Sequence, residues 1–111
     1  MSQYDTFRGE MHRIQRAHPR VELYAVWTGP GEPIRLKLIR TLPAYRGRGL
    51  AEAALTDVLA LADALHLPVQ LTVEPIAGDA ATDESRLALW YRRHGFSPVC
   101  CRPELMHRPA R

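Results

Sequence analysis

The residues best placed to do chemistry are Tyr45-Arg46-Gly47-Arg48-Gly49-Leu50-Ala51, a glycine turn between a strand-like run and a helix rich in alanine and leucine. The first turn of a helix leaves N–H groups without intrahelical acceptors, all pointing the same way. The helix dipole adds partial positive charge at that end, which suits a phosphate or pyrophosphate. Gly47 and Gly49 let the backbone approach an anion closely, and Arg46 and Arg48 add fixed charge. The plainer alternative is an arginine-rich turn that does nothing but start a helix.

A second segment narrows the choice. Leu89-Trp90-Tyr91-Arg92-Arg93-His94-Gly95-Phe96 closes a later helix. With both segments in this order, the chain resembles the GNAT superfamily of acyl-CoA-dependent N-acyltransferases. The family's pyrophosphate signature, Gln/Arg-x-x-Gly-x-Gly/Ala, is met by Arg46-Gly47-Arg48-Gly49-Leu50-Ala51. Its late Leu-Tyr-x-x-x-Gly-Phe type segment is matched by Tyr91 to Phe96, and the resemblance runs from about Ile34 to Pro109.

The resemblance implies a mixed α/β fold: one central GNAT-like sheet, helices on both faces, and two parallel strands splayed apart as a cofactor wedge. The matching strands are Ile34–Thr41 and Val69–Glu74. By resemblance, Ile39 and Thr41 supply main-chain contacts to acetyl-CoA, while Arg46, Gly47, Arg48, Gly49, Leu50 and Ala51 hold its pyrophosphate. The plainer alternative for Ile39 and Thr41 is two ordinary strand residues. Tyr91 takes the position of the general acid that protonates the leaving thiolate. It also lies in a helical stripe with Leu87, Trp90 and His94, which by residue type alone reads as core. Many relatives carry a glutamate base on the strand before the glycine turn, where this chain has Arg35, Lys37 and Arg40. Glu74 is then the best acidic candidate, directly or through water, its alternative being a solvated carboxylate at a strand end before Pro75. The asparagine often found at the start of the last helix is replaced by Glu84 and Ser85.

The function implied is transfer of an acetyl group from acetyl-CoA to a primary amine by direct attack in a ternary complex. The alternative is a non-catalytic acyl-CoA-binding or regulatory domain on the same fold. Arg35, Lys37, Arg40 and Arg92 suit an acceptor that carries a carboxylate or phosphate beside its amine, or else line a solvated face. A third possibility, a basic nucleic-acid module, lacks clustered charge: the net +3 is spread along the chain.

At 111 residues the chain is expected to form one domain, 1–111, large enough for a core without disulfides or metals. No apolar run approaches a membrane span and the N-terminus is not a signal peptide, so a cytoplasmic protein is expected. Cys100 and Cys101 are adjacent, so a bond between them would be strained, and buried thiols on a strand are expected. The five histidines show no metal-ligand spacing with them, so no metal is expected.

The elements that position these residues follow from periodicity. Tyr4, Phe7, Met11 and Ile14 recur at helical spacing before His18-Pro19; Val21–Trp27 and Pro33–Thr41 read as a hairpin, with Ile34, Leu36 and Leu38 on one face. Gly49 to about His66 is the longest helix, lined by Leu50, Ala54, Val58, Leu61 and Leu65. A strand at Val69–Glu74, a helix capped by Thr82 or Asp83 and ending at His94, and strands at Phe96–Cys101 and Glu104–Arg108 complete the order. Family members usually carry further strands and a helix before this hairpin, so the chain reads as a short version. Val21–Trp27 would then be a sheet edge, apolar on both faces, with hydrogen bonds the first helix leaves open. A homodimer formed near it is expected.

Overall fold

A computed structural model describes residues 2–73, 84–100 and 102–111. Helix α1, Gln3–Ala17, starts where the Ser2 hydroxyl accepts from the Asp5 N–H, and it buries Phe7, Met11 and Ile14 along one stripe. Strands β1, Val21–Val26, and β2, Ile34–Thr41, form the expected antiparallel hairpin. A 3₁₀ turn, Pro43–Tyr45, leads to α2, Leu50–Ala64; then follow β3, Val69–Thr72, α3, Glu84–Arg93, β4, Ser97–Val99, and β5, Arg102–Arg108. The sheet order is β1-β2-β3-β5-β4, with β2 and β3 parallel and the other neighbouring pairs antiparallel.

The core lies on one side of this sheet. Leu23, Ile34, Leu36, Leu71 and Met106 from the strands meet Phe7 and Ile14 of α1, Leu55 and Val58 of α2, and Tyr91 of α3. All three helices share that side, and the opposite side leaves Glu22, Tyr24, Lys37 and Thr72 exposed. Helices on both faces were expected, and the described helices depart from that. The reason is topological. The connections β2–α2–β3 and β3–α3–β4 step across the sheet in the same direction, and right-handed crossovers then place both helices on the same side.

The strand before the glycine turn also departs from simple alternation. The register passes from Tyr24↔Leu38 to Ala25↔Leu36, so Lys37 is an extra residue on β2, a β-bulge. Ile34 and Leu36 face the core before it, and beyond it Ile39 packs against the core while Leu38 is exposed. An alternation carried through Leu38 was expected, and the bulge reverses it.

β1 is the sheet edge, as expected, but that edge is partly closed. The Arg20 carbonyl accepts from the Leu42 N–H, so Val21 and Leu23 turn their main-chain groups outward. There the Val21 N–H donates to the His18 carbonyl at 3.1 Å, and Gln15 Nε2 donates to the Leu23 carbonyl at 2.9 Å. The first helix thus occupies edge groups it was expected to leave open. Cys100 also departs from expectation: it is exposed, in the turn after β4, while Cys101 lies outside the described residues.

Candidate functional site

The glycine turn is built from three conformational choices. Pro43 starts the 3₁₀ turn, Gly47 adopts φ +83°, and Gly49 adopts φ +71° as the N-cap of α2. These are left-handed conformations that glycine takes without steric cost. Among the described residues no side chain caps this end of α2, which leaves its first N–H groups available. Beyond the adjoining residues, no described residue lies within 4 Å of where a Cβ on Gly47 or Gly49 would sit, so the described structure leaves space in front of the turn.

Cations surround it. Arg46 Nε donates to the Thr41 carbonyl at 3.5 Å, tying the turn to the end of β2. Tyr45 is flanked by two guanidinium groups, with Arg20 Cζ 4.5 Å and Arg48 Cζ 5.8 Å from the ring centroid. Arg20 was missed in the sequence, because only the hairpin brings the residue before β1 beside the end of β2. The signal for it lies in the pairing register and in no local motif.

The parallel ladder between β2 and β3 runs from Ile34↔Val69 to Leu36↔Leu71 and stops at the bulge. Beyond it β2 follows β1 alone, as far as Val21↔Thr41. Leu42, two residues after Arg40, bonds toward β1, so the main-chain groups of Ile39 and Thr41 turn to the other side, away from β1, where the Thr41 carbonyl accepts from Arg46. A cavity of about 180 Å³ lies where the two strands part, lined by Arg35, Lys37, Gln70, Thr72 and Leu105 among others. Arg35 reaches Glu32 at 3.2 Å and Arg40 reaches Glu22 at 3.8 Å. Arg92 stands apart from them, in a different cavity beside α3.

Tyr91 is buried, and burial pushes its hydroxyl pKa up to about 12. The late motif has a structural explanation of its own. The Phe96 N–H donates to the Tyr91 carbonyl at 3.2 Å and the Gly95 N–H to the Arg92 carbonyl at 3.1 Å, with Gly95 at φ +94°. This is a Schellman cap, and its customary apolar contact is the Tyr91–Phe96 ring pair at 5.7 Å. The spacing Tyr-x-x-x-Gly-Phe is therefore what terminates α3 and fixes the tyrosine. Glu52, in the first turn of α2, lies 3.3 Å from His94 Nε2, so the two motifs meet in space. Glu74, the base candidate, and the expected helix caps Thr82 and Asp83 lie outside the described residues.

Neither a protein-family model nor a curated protein matches the sequence. Solved structures do. The anti-CRISPR protein AcrVA5 aligns with a TM-score of 0.61 at 16% identity, over 77% of this chain and 87% of that one. A structure titled histone acetyltransferase HPA2 and related acetyltransferase, from Corynebacterium glutamicum, gives 0.55 at 20% identity over 81% of this chain. Naa50 from Arabidopsis thaliana, in complex with the bisubstrate analogue CoA-Ac-MVNAL, gives 0.55 at 16% identity over 79%. The chain spans 48% and 62% of the lengths of those last two. It has the GNAT fold: a mixed five-stranded sheet whose parallel pair parts beside a glycine turn.

Proposed function

We propose that this chain works as one acyltransferase domain, 1–111, that transfers an acetyl group from acetyl-CoA to a primary amine. The observation that carries the reading is the N-terminus of α2, without a side-chain cap and open in front of Gly47 and Gly49 among the described residues, beside the main-chain groups of Ile39 and the Thr41 N–H, which turn away from β1. These features fit acetyl-CoA. The α2 N–H groups with Arg46 and Arg48 suit the pyrophosphate, and freed strand groups suit the pantetheine amides.

In the ternary complex the neutral amine attacks the thioester carbonyl carbon, forming the C–N bond and an oxyanion. A main-chain N–H on β2 stabilises the oxyanion. Its collapse breaks the C–S bond, and the thiolate takes a proton from Tyr91 or water while the amine nitrogen loses one to Glu74 or water. Positioning supplies much of the rate, because the thioester is already activated. Arg35 and Lys37 beside the cavity between β2 and β3 favour an acceptor that carries a negative group.

One observation favours a second reading, an acyl-CoA-binding domain without turnover: the Tyr91 carbonyl and ring serve the α3 cap, and the residue is buried in the core. Acetyl-CoA offered with a panel of amines separates the two. Release of free thiol with any amine supports transfer; tight binding with no release across the panel supports the binding domain.

The reading includes a cytoplasmic homodimer. No described helix is long and apolar enough to cross a membrane. The groove between α1 and β1, about 880 Å³ and lined by Tyr4, Phe7, Met11, Tyr24 and Trp27, offers a second copy an amphipathic surface. Light scattering of the full chain at micromolar concentration tests it, and a strictly monomeric mass refutes it.

A further inference from the structure

Thr56 to Asp63 of α2 meet the end of α3 and the end of β5 around a cavity of about 490 Å³. Arg92, Arg93, Arg108 and Arg111 line it against a single acid, Asp63. That excess equals the formal net charge of +3 carried by the whole chain, so the charges elsewhere cancel. The basic character that looks dispersed along the sequence is gathered here by the fold.

Only part of this charge is spent within the protein. Arg108, 2% exposed, makes a bidentate pair with Asp63, Nη1 to Oδ1 at 2.9 Å and Nη2 to Oδ2 at 3.1 Å. Its buried Nε has no hydrogen-bond acceptor among the described residues. Arg111 lies against Gly95, its Nη2 2.5 Å from where a Cβ would be. Arg92 and Arg93 have no acid within ion-pair distance among the described residues. The C-terminal ends of α2 and α3 account for about half a negative charge each. The Arg92, Arg93 and Arg111 side chains, with no ion-pair partner among the described residues, exceed that by roughly two charges, or about one once the Arg111 carboxylate is counted, so the cavity keeps a positive excess for a phosphate monoester.

We propose that this cavity is a binding site for a phosphate monoester, held by Arg92, Arg93 and Arg111 with the Arg108 Nε–H at its floor. Planar guanidinium groups grip phosphate oxygens two at a time, and a pre-formed cluster of them loses little freedom on binding. The ester has two possible sources, the 3′-phosphate of an acyl-CoA or a separate phosphorylated ligand. The site does not depend on the transferase reading.

The test is an amide-resolved nuclear magnetic resonance titration of the isotope-labelled full chain with inorganic phosphate. Saturable shifts are expected at Arg92–Gly95 and Arg108. The double variant Arg92→Gln, Arg93→Gln changes only exposed side chains, so it should melt as the parent does while binding phosphate roughly tenfold or more weakly. Arg111→Gln, read in parallel, should weaken it as well. Displacement of phosphate by acetyl-CoA but not by acetyl-dephospho-CoA assigns the site to the cofactor; displacement by neither assigns it to a separate ester. Shifts that never saturate, or that saturate equally in the variants, overturn the proposal.

Discussion

Replacing Gly49 with valine separates what the glycine turn does for folding from what it does for binding. Gly49 sits at φ +71°, ψ +18°, left-handed and unfavourable to a β-branched residue. The strain costs about 1–3 kcal/mol, and for a domain near this size each kcal/mol lowers the melting temperature by roughly 4–8 °C. No described residue beyond the adjoining ones comes within 4 Å of a Cβ placed there, so the stability cost is mainly conformational. Binding suffers separately, because the isopropyl group fills the approach an anion must use. Losing one or two hydrogen bonds to a charged phosphate, at about 1.5–3 kcal/mol each, weakens acetyl-CoA by roughly ten- to a thousandfold or more. Gly31→Val is the control: Gly31 has φ +85°, lies in the β1–β2 loop and also has open space around it. It should lose similar stability and keep full affinity. Calorimetry on the folded variants, with melting curves beside it, reads both quantities. Equal acetyl-CoA affinity in Gly49→Val and Gly31→Val would refute the reasoning, leaving the turn a helix start and no more.

Tyr91→Phe keeps the ring that packs on Phe96 and should lower turnover by about 10²- to 10⁴-fold with little change in cofactor affinity. Alkaline titration adds a second readout. The folded hydroxyl titrates near 12 against an ordinary 10.0, so stability present below pH 10 falls as the pH rises from 10 to 12. Tyr91→Phe should lose that part of the alkaline transition, and an unchanged profile would count against a buried neutral hydroxyl. The Arg108 guanidinium, hydrogen-bonded to Asp63, holds that carboxyl below its ordinary 3.8, so the pair's contribution is present above that value and is lost as pH falls through the lowered pKa. Asp63→Asn should destabilise the chain near neutral pH by about 1–3 kcal/mol and flatten the acid limb of its stability profile, both measured by denaturant unfolding. His66, at φ +56°, is the one described non-glycine residue in a left-handed conformation, at the end of α2. His66→Gly should gain up to about 1 kcal/mol, less whatever the His66–Arg111 hydrogen bond contributes, as a rise in melting temperature.

Much of the fold could be read from residue periodicity, because each helix carries one apolar stripe and each buried strand its alternation. Phe7, Met11 and Ile14 fixed α1, and Gly49 and Gly95 marked the start of one helix and the end of another. The features that escaped depend on pairing in three dimensions. The Lys37 bulge is set by register against β1; residue pattern alone put Leu38 inward and Ile39 outward, the reverse of their burial. Gln15 closing the β1 edge and Arg20 joining the glycine turn are side chains brought from elsewhere in the chain, with no local signature. The glycine turn, Arg46 to Ala51, was legible because a left-handed turn before a helix demands glycine at fixed places. Tyr91 was legible for a different reason, since its spacing to Gly95 and Phe96 is that of a Schellman cap.

Hydrogen–deuterium exchange of the full chain with and without acetyl-CoA tests the central claim most directly. Bound acetyl-CoA should slow exchange at the first amides of α2, Leu50 to Glu52, and at Ile39 and Thr41 beyond the bulge, while the β1–β2 loop exchanges as before. Protection confined to other residues, or no protection at saturating acetyl-CoA, would contradict the assignment of the glycine turn and the parted strands as an acyl-CoA site.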